Sequence, residues 1–277
     1  MEWGTARSGA FGMTNGIRQG SILSPYLFNI YVDELNVQLS NCKLGCHVGT
    51  EASNNFSYAD DLAIVAPTAK ALNAMLEVCT VFASRNSIEF SPTKTVAMLI
   101  SPDSYKIANK PNIHLGNSRI AYVEEFRYLG HIITCDLTDD ADMERERRSL
   151  ATRGNLIAHK FHSCSDDVKR KMFKCYCYNL YGCSLWSKHR KSTMDRLRVT
   201  YNKVMRRLMG LPPWCSASSM FVYYETRSFQ EVVRSLTFSM YDRVAVCTNN
   251  VICNLSNSDA SVKSTIRKEW FQRLFLR

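Results

Sequence analysis

The sequence predicts an α+β architecture: a mixed helix-and-strand half, residues 1–135, followed by an all-helical half, residues 136–277. Three observations lead there. Short runs of strand-type residues bounded by turn residues recur as far as Cys135. Beyond it, apolar residues recur at helical spacing, broken at Gly210-Leu211-Pro212-Pro213. Charge is also segregated. Residues 1–135 carry 10 Lys and Arg against 11 Asp and Glu, a net of −1, whereas 136–277 carry 25 against 14, a net of +11, which together make the formal net charge of +10.

Each element has a local reason. Residues 1–15 suit a short hairpin around Ser8-Gly9. Ser24 is placed to cap a helix with Pro25 at its first position, running to about 40. Leu27, Phe28, Tyr31, Leu35 and Leu39 give it one apolar face. Residues 54–66 read as two short strands flanking Ala59-Asp60-Asp61. Thr68 caps a helix to about 85, with Leu72, Met75, Leu76, Cys79 and Phe82 inward. Strands are expected near 95–100, 112–115, 119–123 and 126–134, the middle pair joined by a Gly116-Asn117 turn. Helices follow near 139–162, 166–182, 191–209, 228–248 and 259–276, with a polar loop over 248–261.

Composition removes several classes. A chain of 277 residues with 45% apolar and 22% charged residues buries a sizeable core and is neither disordered nor fibrous. Its apolar runs fall short of a membrane span, and 62–66 suits a buried strand. The N-terminus lacks a basic patch followed by an apolar block, so no signal peptide is expected and the placement is intracellular, nucleus or cytoplasm unresolved. Lys188-His189-Arg190-Lys191 is too short to serve as a nuclear signal. Eleven cysteines form an odd set without a Cys-x-x-Cys, which argues against a disulfide framework or a zinc ribbon. Most are expected as small buried hydrophobes in a reducing compartment. Cys42 with Cys46-His47, and His159 with His162 and Cys164, have ligand-like spacing, but each lacks a second half.

Chemistry concentrates in a few places. Asp60-Asp61 sits between two apolar strands. Adjacent like charges are costly unless exposed or bound to a cation, so the pair is either an acidic surface turn or a site for a hard cation such as Mg²⁺. Upstream, Gly16-Ile17-Arg18-Gln19-Gly20 leads into the start of the helix at Ser24-Pro25, where backbone can approach an anionic ligand. Ser91-Pro92-Thr93-Lys94-Thr95 precedes one strand, and Phe126-Arg127-Tyr128-Leu129-Gly130 lies in another. Residues 169–207 hold 12 basic residues and one acid, Asp195, interleaved with Tyr176, Tyr178, Tyr181 and Trp186. Such a face suits a nucleic-acid backbone or is a solvated helix surface.

Taken in order, these residues resemble a reverse transcriptase (RNA-directed DNA polymerase) domain of the non-LTR, LINE-like retrotransposon type, over roughly residues 1–210. Gly16 to Gly20 with Leu23-Ser24-Pro25 and Phe28 resembles the palm motif beside the incoming nucleotide and template. Tyr58-Ala59-Asp60-Asp61 matches the catalytic carboxylate hairpin, Lys94-Thr95 a later palm motif, and Tyr128-Leu129-Gly130 the primer grip. Tyr181-Gly182 with Trp186 is similar to the helical thumb.

The resemblance implies a partial polymerase palm (an antiparallel sheet with helices on one face) over 1–135. A basic, helical thumb-like domain with a C-terminal extension then covers 136–277. It implies RNA-templated DNA synthesis by two-metal nucleotidyl transfer with Mg²⁺, or Mn²⁺, acting on an RNA template, a DNA primer and deoxynucleoside triphosphates, away from membranes. Asp60 would be the main metal ligand, with Asp61 secondary or structural, while Lys94 would assist the leaving pyrophosphate. Arg18, Gln19, Gly20, Ser24 and Pro25 would position nucleotide and template. Lys169, Arg170, Lys171, Lys174, Lys188, Arg190, Lys191, Arg196 and Arg198 would hold the duplex through phosphates.

The family places a further metal-binding Asp on a strand upstream of the Gly16 motif. Fifteen residues precede Gly16, and Glu2 is the one acid among them. Fingers, an endonuclease domain and a zinc knuckle have no counterpart in the sequence. The expectation is therefore a palm-plus-thumb fragment, inactive alone and complemented by a polymerase segment in trans. The alternative is a non-catalytic nucleic-acid-binding remnant that uses the basic helices.

Overall fold

A computed structural model describes residues 2–3, 5–7, 9, 16, 20–48, 51–101 and 109–275. They divide into two compact units, Met1–Phe90 with His114–Ser118, and Ser91–Ile113 with Arg119–Arg277.

In the first unit, β1 (Glu2–Trp3) pairs antiparallel with β2 (Ala6–Arg7), Trp3 facing Ala6. The hairpin thus turns before the expected Ser8-Gly9. Helix α1 (Ser24–Asn41) begins one residue early: Leu23, not Ser24, occupies the cap position and lends it no side-chain oxygen. Its predicted apolar face is only half used. Leu35 and Leu39 are buried against Met75, Cys79 and Phe82, whereas Leu27 remains 54% exposed and Tyr31 is exposed as well. The first two turns of α1 lie outside that core, although the Tyr31 hydroxyl donates to the Asn86 carbonyl.

Strand β3 (His47–Val48) pairs with β4 (Glu51–Ala52), and β5 (Asn55–Tyr58) pairs antiparallel with β6 (Asp61–Ile64). Helix α2 (Ala69–Arg85) starts where expected, the Thr68 hydroxyl accepting the Ala71 N–H at 3.1 Å. Met75, Leu76, Cys79 and Phe82 form its inner stripe.

The second unit opens with β7 (Val96–Ala97). Strand β8 (His114–Leu115), which belongs to the first unit, turns at Gly116-Asn117 into β9 (Ser118–Arg119), and β10 (Ala121–Tyr122) of the second unit pairs in parallel with β7. The expected single strand over 126–134 is instead a hairpin of β11 (Glu125–Tyr128) and β12 (His131–Thr134), with Tyr128 facing His131. Leu129 at φ +47° and Gly130 at +81° reverse the chain between them. Two left-handed residues suit the twist of a two-residue hairpin loop, and a leucine there is strained.

Helices follow: α3 (Asp140–Lys160), α4 (Asp166–Cys177), α5 (Lys191–Met209), α6 (Ala217–Tyr223), α7 (Phe229–Ala245), α8 (Asn250–Asn257), α9 (Asp259–Val262) and α10 (Thr265–Phe275). Helix α4 ends at Cys177, short of the expected 182, and Gly182, with φ +86°, lies outside any right-handed helix. The expected polar loop over 248–261 is largely helical. Its polar residues act as caps, Asn249 accepting from the Val251 and Ile252 N–H groups and Ser258 from Ser261. Leu150, Ile157, Phe173, Leu197, Tyr201, Phe229 and Val232 share one core. Helices α3 and α5 approach so closely that a Cβ on Gly154 would lie 2.4 Å from the Val204 side chain.

The architecture is a mixture of helices and small two-stranded sheets, compatible with an α+β polymerase fragment. Among the described residues no helix is long and apolar enough to cross a membrane. The cysteines differ from expectation: Cys79, Cys177 and Cys183 are buried, and burial pushes each thiol up to about 12, but most of the others are half-buried.

Candidate functional site

The acidic pair occupies the tip of the β5–β6 hairpin. Tyr58 faces Asp61 across the first rung, leaving Ala59 and Asp60 as the two-residue loop, with Ala59 at φ +52°. An alanine in the left-handed region costs free energy, so the flanking ladder holds this loop shape. Tyr58, Asp60 and Asp61 are all exposed. Exposure removes the desolvation penalty on two neighbouring carboxylates and leaves both sets of oxygens free to accept a ligand.

The hairpin is stitched to α1 by side-chain hydrogen bonds. Ser57 donates to Asn36 Oδ1 at 2.9 Å, and Asn55 donates to the Ser40 hydroxyl at 3.3 Å. Fully buried Asn54 donates to the carbonyls of Leu39 and Leu44, each at 2.7 Å, while its own carbonyl accepts the Val65 N–H. The end of α1 and the root of the acidic hairpin are thereby one rigid element. At the other end of α1 stand Gly20, exposed at φ +82°, buried Ser24 and exposed Pro25. Arg18 and Gln19 lie outside the described residues.

Lys94 belongs to the second unit. It is exposed, in a turn closed onto the Ser91 carbonyl by the Lys94 and Thr95 N–H groups at 3.2 and 3.0 Å. Tyr128, Leu129 and Gly130 form the turn of the β11–β12 hairpin, and this turn is clamped. The Tyr181 hydroxyl donates to the Leu129 carbonyl at 2.6 Å, and its ring lies against Gly130.

Behind the turn sits Asp142, fully buried. Its Oδ1 accepts the Ile132 N–H at 3.0 Å and Arg145 Nε at 2.6 Å; its Oδ2 accepts Trp186 Nε1 at 2.8 Å. His131 Nδ1 lies 3.0 Å from the same Oδ2, a close contact without hydrogen-bond alignment. Burial alone would raise the carboxyl pKa; the adjacent His131 ring and the Arg145, Ile132 and Trp186 donors outweigh it and hold Asp142 well below the usual carboxylate range. Glu146, one turn on and also buried, is pushed up by burial against the opposing Arg153 and Arg145 contacts at 2.6 and 3.2 Å. Neither acid was singled out in the sequence. The available signal is their spacing, since 142, 146, 150 and 157 fall on one helix face, mixing two acids with Leu150 and Ile157.

The basic stretch is less free than its single internal acid suggests. Arg170 sits between Asp167 and Glu225 at 2.7 and 2.9 Å, Lys171 pairs with Asp167 at 2.8 Å, and Arg198 pairs with Asp195 at 2.9 Å. Lys169 lies 4.0 Å from Asp166. Lys188 donates from Nζ to the Asp136 carbonyl at 2.9 Å, and the Arg190 side chain lies 3.8 Å from Asp140. Arg196 reaches Thr193 at 3.4 Å, whereas Lys174 and Lys191 project into solvent. Acids on α3 and α4, outside or at the margin of the run, supply most of these partners.

The carboxylate oxygens of Asp60 and Asp61 fit a hard divalent cation. Among the described residues no group of three His, Cys, Asp or Glu side chains is gathered to hold a metal ion. Neither Cys42 with Cys46-His47 nor His159 with His162 and Cys164 forms such a group.

Residues 3–133 match the reverse transcriptase (RNA-dependent DNA polymerase) family. The chain is 21% identical over 272 residues to the RNA-directed DNA polymerase from mobile element jockey of Drosophila funebris, covering 91% of this chain and 28% of that protein. It is 28% identical over 174 residues to the retrovirus-related Pol polyprotein from the type-2 retrotransposable element R2DM of Drosophila melanogaster, covering 55% and 16%. It is 21% identical over 244 residues to the probable RNA-directed DNA polymerase from transposon BS of the same species, covering 84% and 26%. The chain thus spans less than a third of the length of each of these relatives. No solved structure gives a significant match. The family match covers just under half of the chain, and the relatives it is similar to are non-LTR retrotransposon RNA-directed DNA polymerases.

Proposed function

We propose that this chain supplies part of the catalytic palm and the thumb of an RNA-directed DNA polymerase, extending a DNA primer on an RNA template with deoxynucleoside triphosphates. The observation that carries the reading is the exposed Asp60-Asp61 pair at a rigid hairpin tip within the segment that matches the family. Asp60 and Asp61 would hold Mg²⁺, or Mn²⁺ in its place. When bound, divalent cations activate a primer 3′-hydroxyl and stabilise the leaving pyrophosphate.

The chain's own residues do the rest. The start of α1, with Arg18, Gln19, Gly20, Ser24 and Pro25, orients nucleotide and template, and Lys94 neutralises the departing phosphates. The Tyr128-Leu129-Gly130 turn receives the primer end. Lys174, Lys191 and Arg196 contact backbone phosphates, while the paired cations Lys169, Arg170, Lys171, Lys188, Arg190 and Arg198 shape that surface. Two carboxylates make an incomplete two-metal cage, so synthesis depends on a polymerase segment supplied alongside this chain. A binding-only role is the second reading, favoured by the lack of a third metal-binding group among the described residues.

Primer extension on an RNA template with Mg²⁺ separates them, using the chain alone and then with a finger-plus-palm segment in trans. The polymerase reading expects synthesis in the complemented reaction alone and its loss with Asp60→Asn. Hybrid binding without extension in either reaction supports the binding-only reading. Extension that survives Asp60→Asn overturns the assignment of the site.

A further inference from the structure

Three separated segments converge on the turn at 129–130: Tyr181-Gly182, the N-terminal turn of α3, and Trp186. The Tyr181 hydroxyl donates to the Leu129 carbonyl. Asp142 ties down the strand just past the turn, through the Ile132 N–H and His131, and fastens the same point to Trp186. Gly182 lets these groups meet, since a Cβ there would lie 2.9 Å from His131 Nδ1 and 3.1 Å from Asp142 Oδ2. Arg145 closes the ring, bonding Asp142 with Nε and the Tyr181 carbonyl with an Nη at 3.2 Å, and sitting 5.7 Å from the Tyr181 ring centre. The strained left-handed turn at Leu129 is thus held by Tyr181 at its own carbonyl and by Asp142 three residues further on, at the Ile132 N–H.

We propose that Tyr181 and Asp142 are positioning residues that lock the 128–130 turn to the helical surface of its own unit, so that a bound primer end meets the turn in one fixed place. The proposal rests on the polymerase reading above and deepens it. A hairpin this short, paired over four rungs only, is not rigid by itself. The buried Asp142 network and the Tyr181 clasp supply the missing rigidity, and preorganisation of this kind acts on placement rather than on overall affinity.

The test uses the full chain and an RNA template annealed to a DNA primer with 2-aminopurine at its 3′ end. Fluorescence anisotropy reads affinity, and the 2-aminopurine signal reads how the terminal base is held. Tyr181→Phe keeps the ring against Gly130 and removes the hydroxyl alone, so the fold survives. The expected result is affinity within about twofold of the wild type, because phosphate contacts dominate it. The 3′-end signal of the bound complex is expected to fall about threefold, as the loss of one neutral hydrogen bond allows. As a counter-variant, Lys174→Ala lowers affinity and leaves the signal per bound complex unchanged. An unchanged signal in Tyr181→Phe overturns the proposal, as does a loss of affinity and signal in equal proportion, which marks a merely structural role. A wild-type chain that binds the hybrid but gives no 3′-end signal overturns the polymerase reading itself.

Discussion

The side-chain amide of Asn54 donates to the Leu39 carbonyl at 2.7 Å inside the first unit, joining the last turn of α1 to the strand that ends at the acidic hairpin. A second bond from the same amide, to the Leu44 carbonyl, spans the turn between them. Gly45 packs directly underneath, its hypothetical Cβ only 2.4 Å from that of Asn54. Asn54→Ala leaves both carbonyls buried without this donor, and the expected loss of stability is about 2–3 kcal/mol. Urea denaturation measures it. Hydrogen exchange at 55–64 should rise further than exchange within α2, and an effect below about 0.5 kcal/mol would refute the latch.

Pairing grades the basic surface. Arg170 is held by two carboxylates while Lys174 projects into solvent. Lys174→Ala is expected to weaken binding to any RNA–DNA hybrid and to lower the salt slope by about one. Arg170→Ala should change affinity less and lower the melting temperature more. A reversed ranking in salt titrations and thermal melts would show that the ion pairs open when nucleic acid binds.

Helix α10 is fastened over residues 183–189 by groups that titrate. Trp270 Nε1 donates to the Ser184 carbonyl at 2.6 Å, and Arg273 donates to the Cys183 and Trp186 carbonyls at 2.7 and 2.8 Å. His189 Nε2 lies 3.9 Å from Glu269, which also accepts from Arg273. The Glu269 partner raises His189 above its ordinary 6.5 despite burial and the nearby Arg273 charge. Glu269 is in turn held below 4.5, chiefly by His189.

The signs follow by linkage. The raised histidine contributes stability that is complete below its unfolded pKa and is lost as pH rises through the folded one. The depressed glutamate contributes above its unfolded pKa, and that share is lost as pH falls through the folded value. Docking of α10 is therefore strongest between pH 4.5 and 6.5 and loosens above it. Hydrogen exchange over 265–275, corrected for intrinsic rates, should show protection falling as pH rises past 6.5, with a flat profile in His189→Gln. An equal pH dependence in both proteins would remove the pair from the account.

What could be read from the sequence was what local chemistry dictates. Thr68 at the head of α2, the Gly116-Asn117 turn and the Asp60-Asp61 hairpin all depend on neighbouring residues, and the structure has them at those places. The misses depend on distance or on context. A leucine in the left-handed region at 129 has no local signature, so periodicity gives 126–134 as one strand, whereas Tyr181 and Asp142, distant in sequence, hold it as a hairpin. Leu27 and Tyr31 belong to the expected apolar face of α1 yet stay exposed, because periodicity predicts a face and not what covers it. The polar residues of 248–261 were read as a loop when Asn249 and Ser258 serve as caps. Charge counting likewise missed Asp140, Asp167 and Glu225 as partners of the basic stretch.

The most direct test concerns where a divalent cation sits. Mn²⁺ titrated into the full chain, followed by paramagnetic broadening of backbone amides, should broaden residues 58–62 first. The effect should deepen with a deoxynucleoside triphosphate, reverse with excess Mg²⁺, and vanish in an Asp60→Asn, Asp61→Asn double variant. Broadening centred instead on His159 and His162, or persisting undiminished in the double variant, would contradict the placement of the metal site on which the account stands.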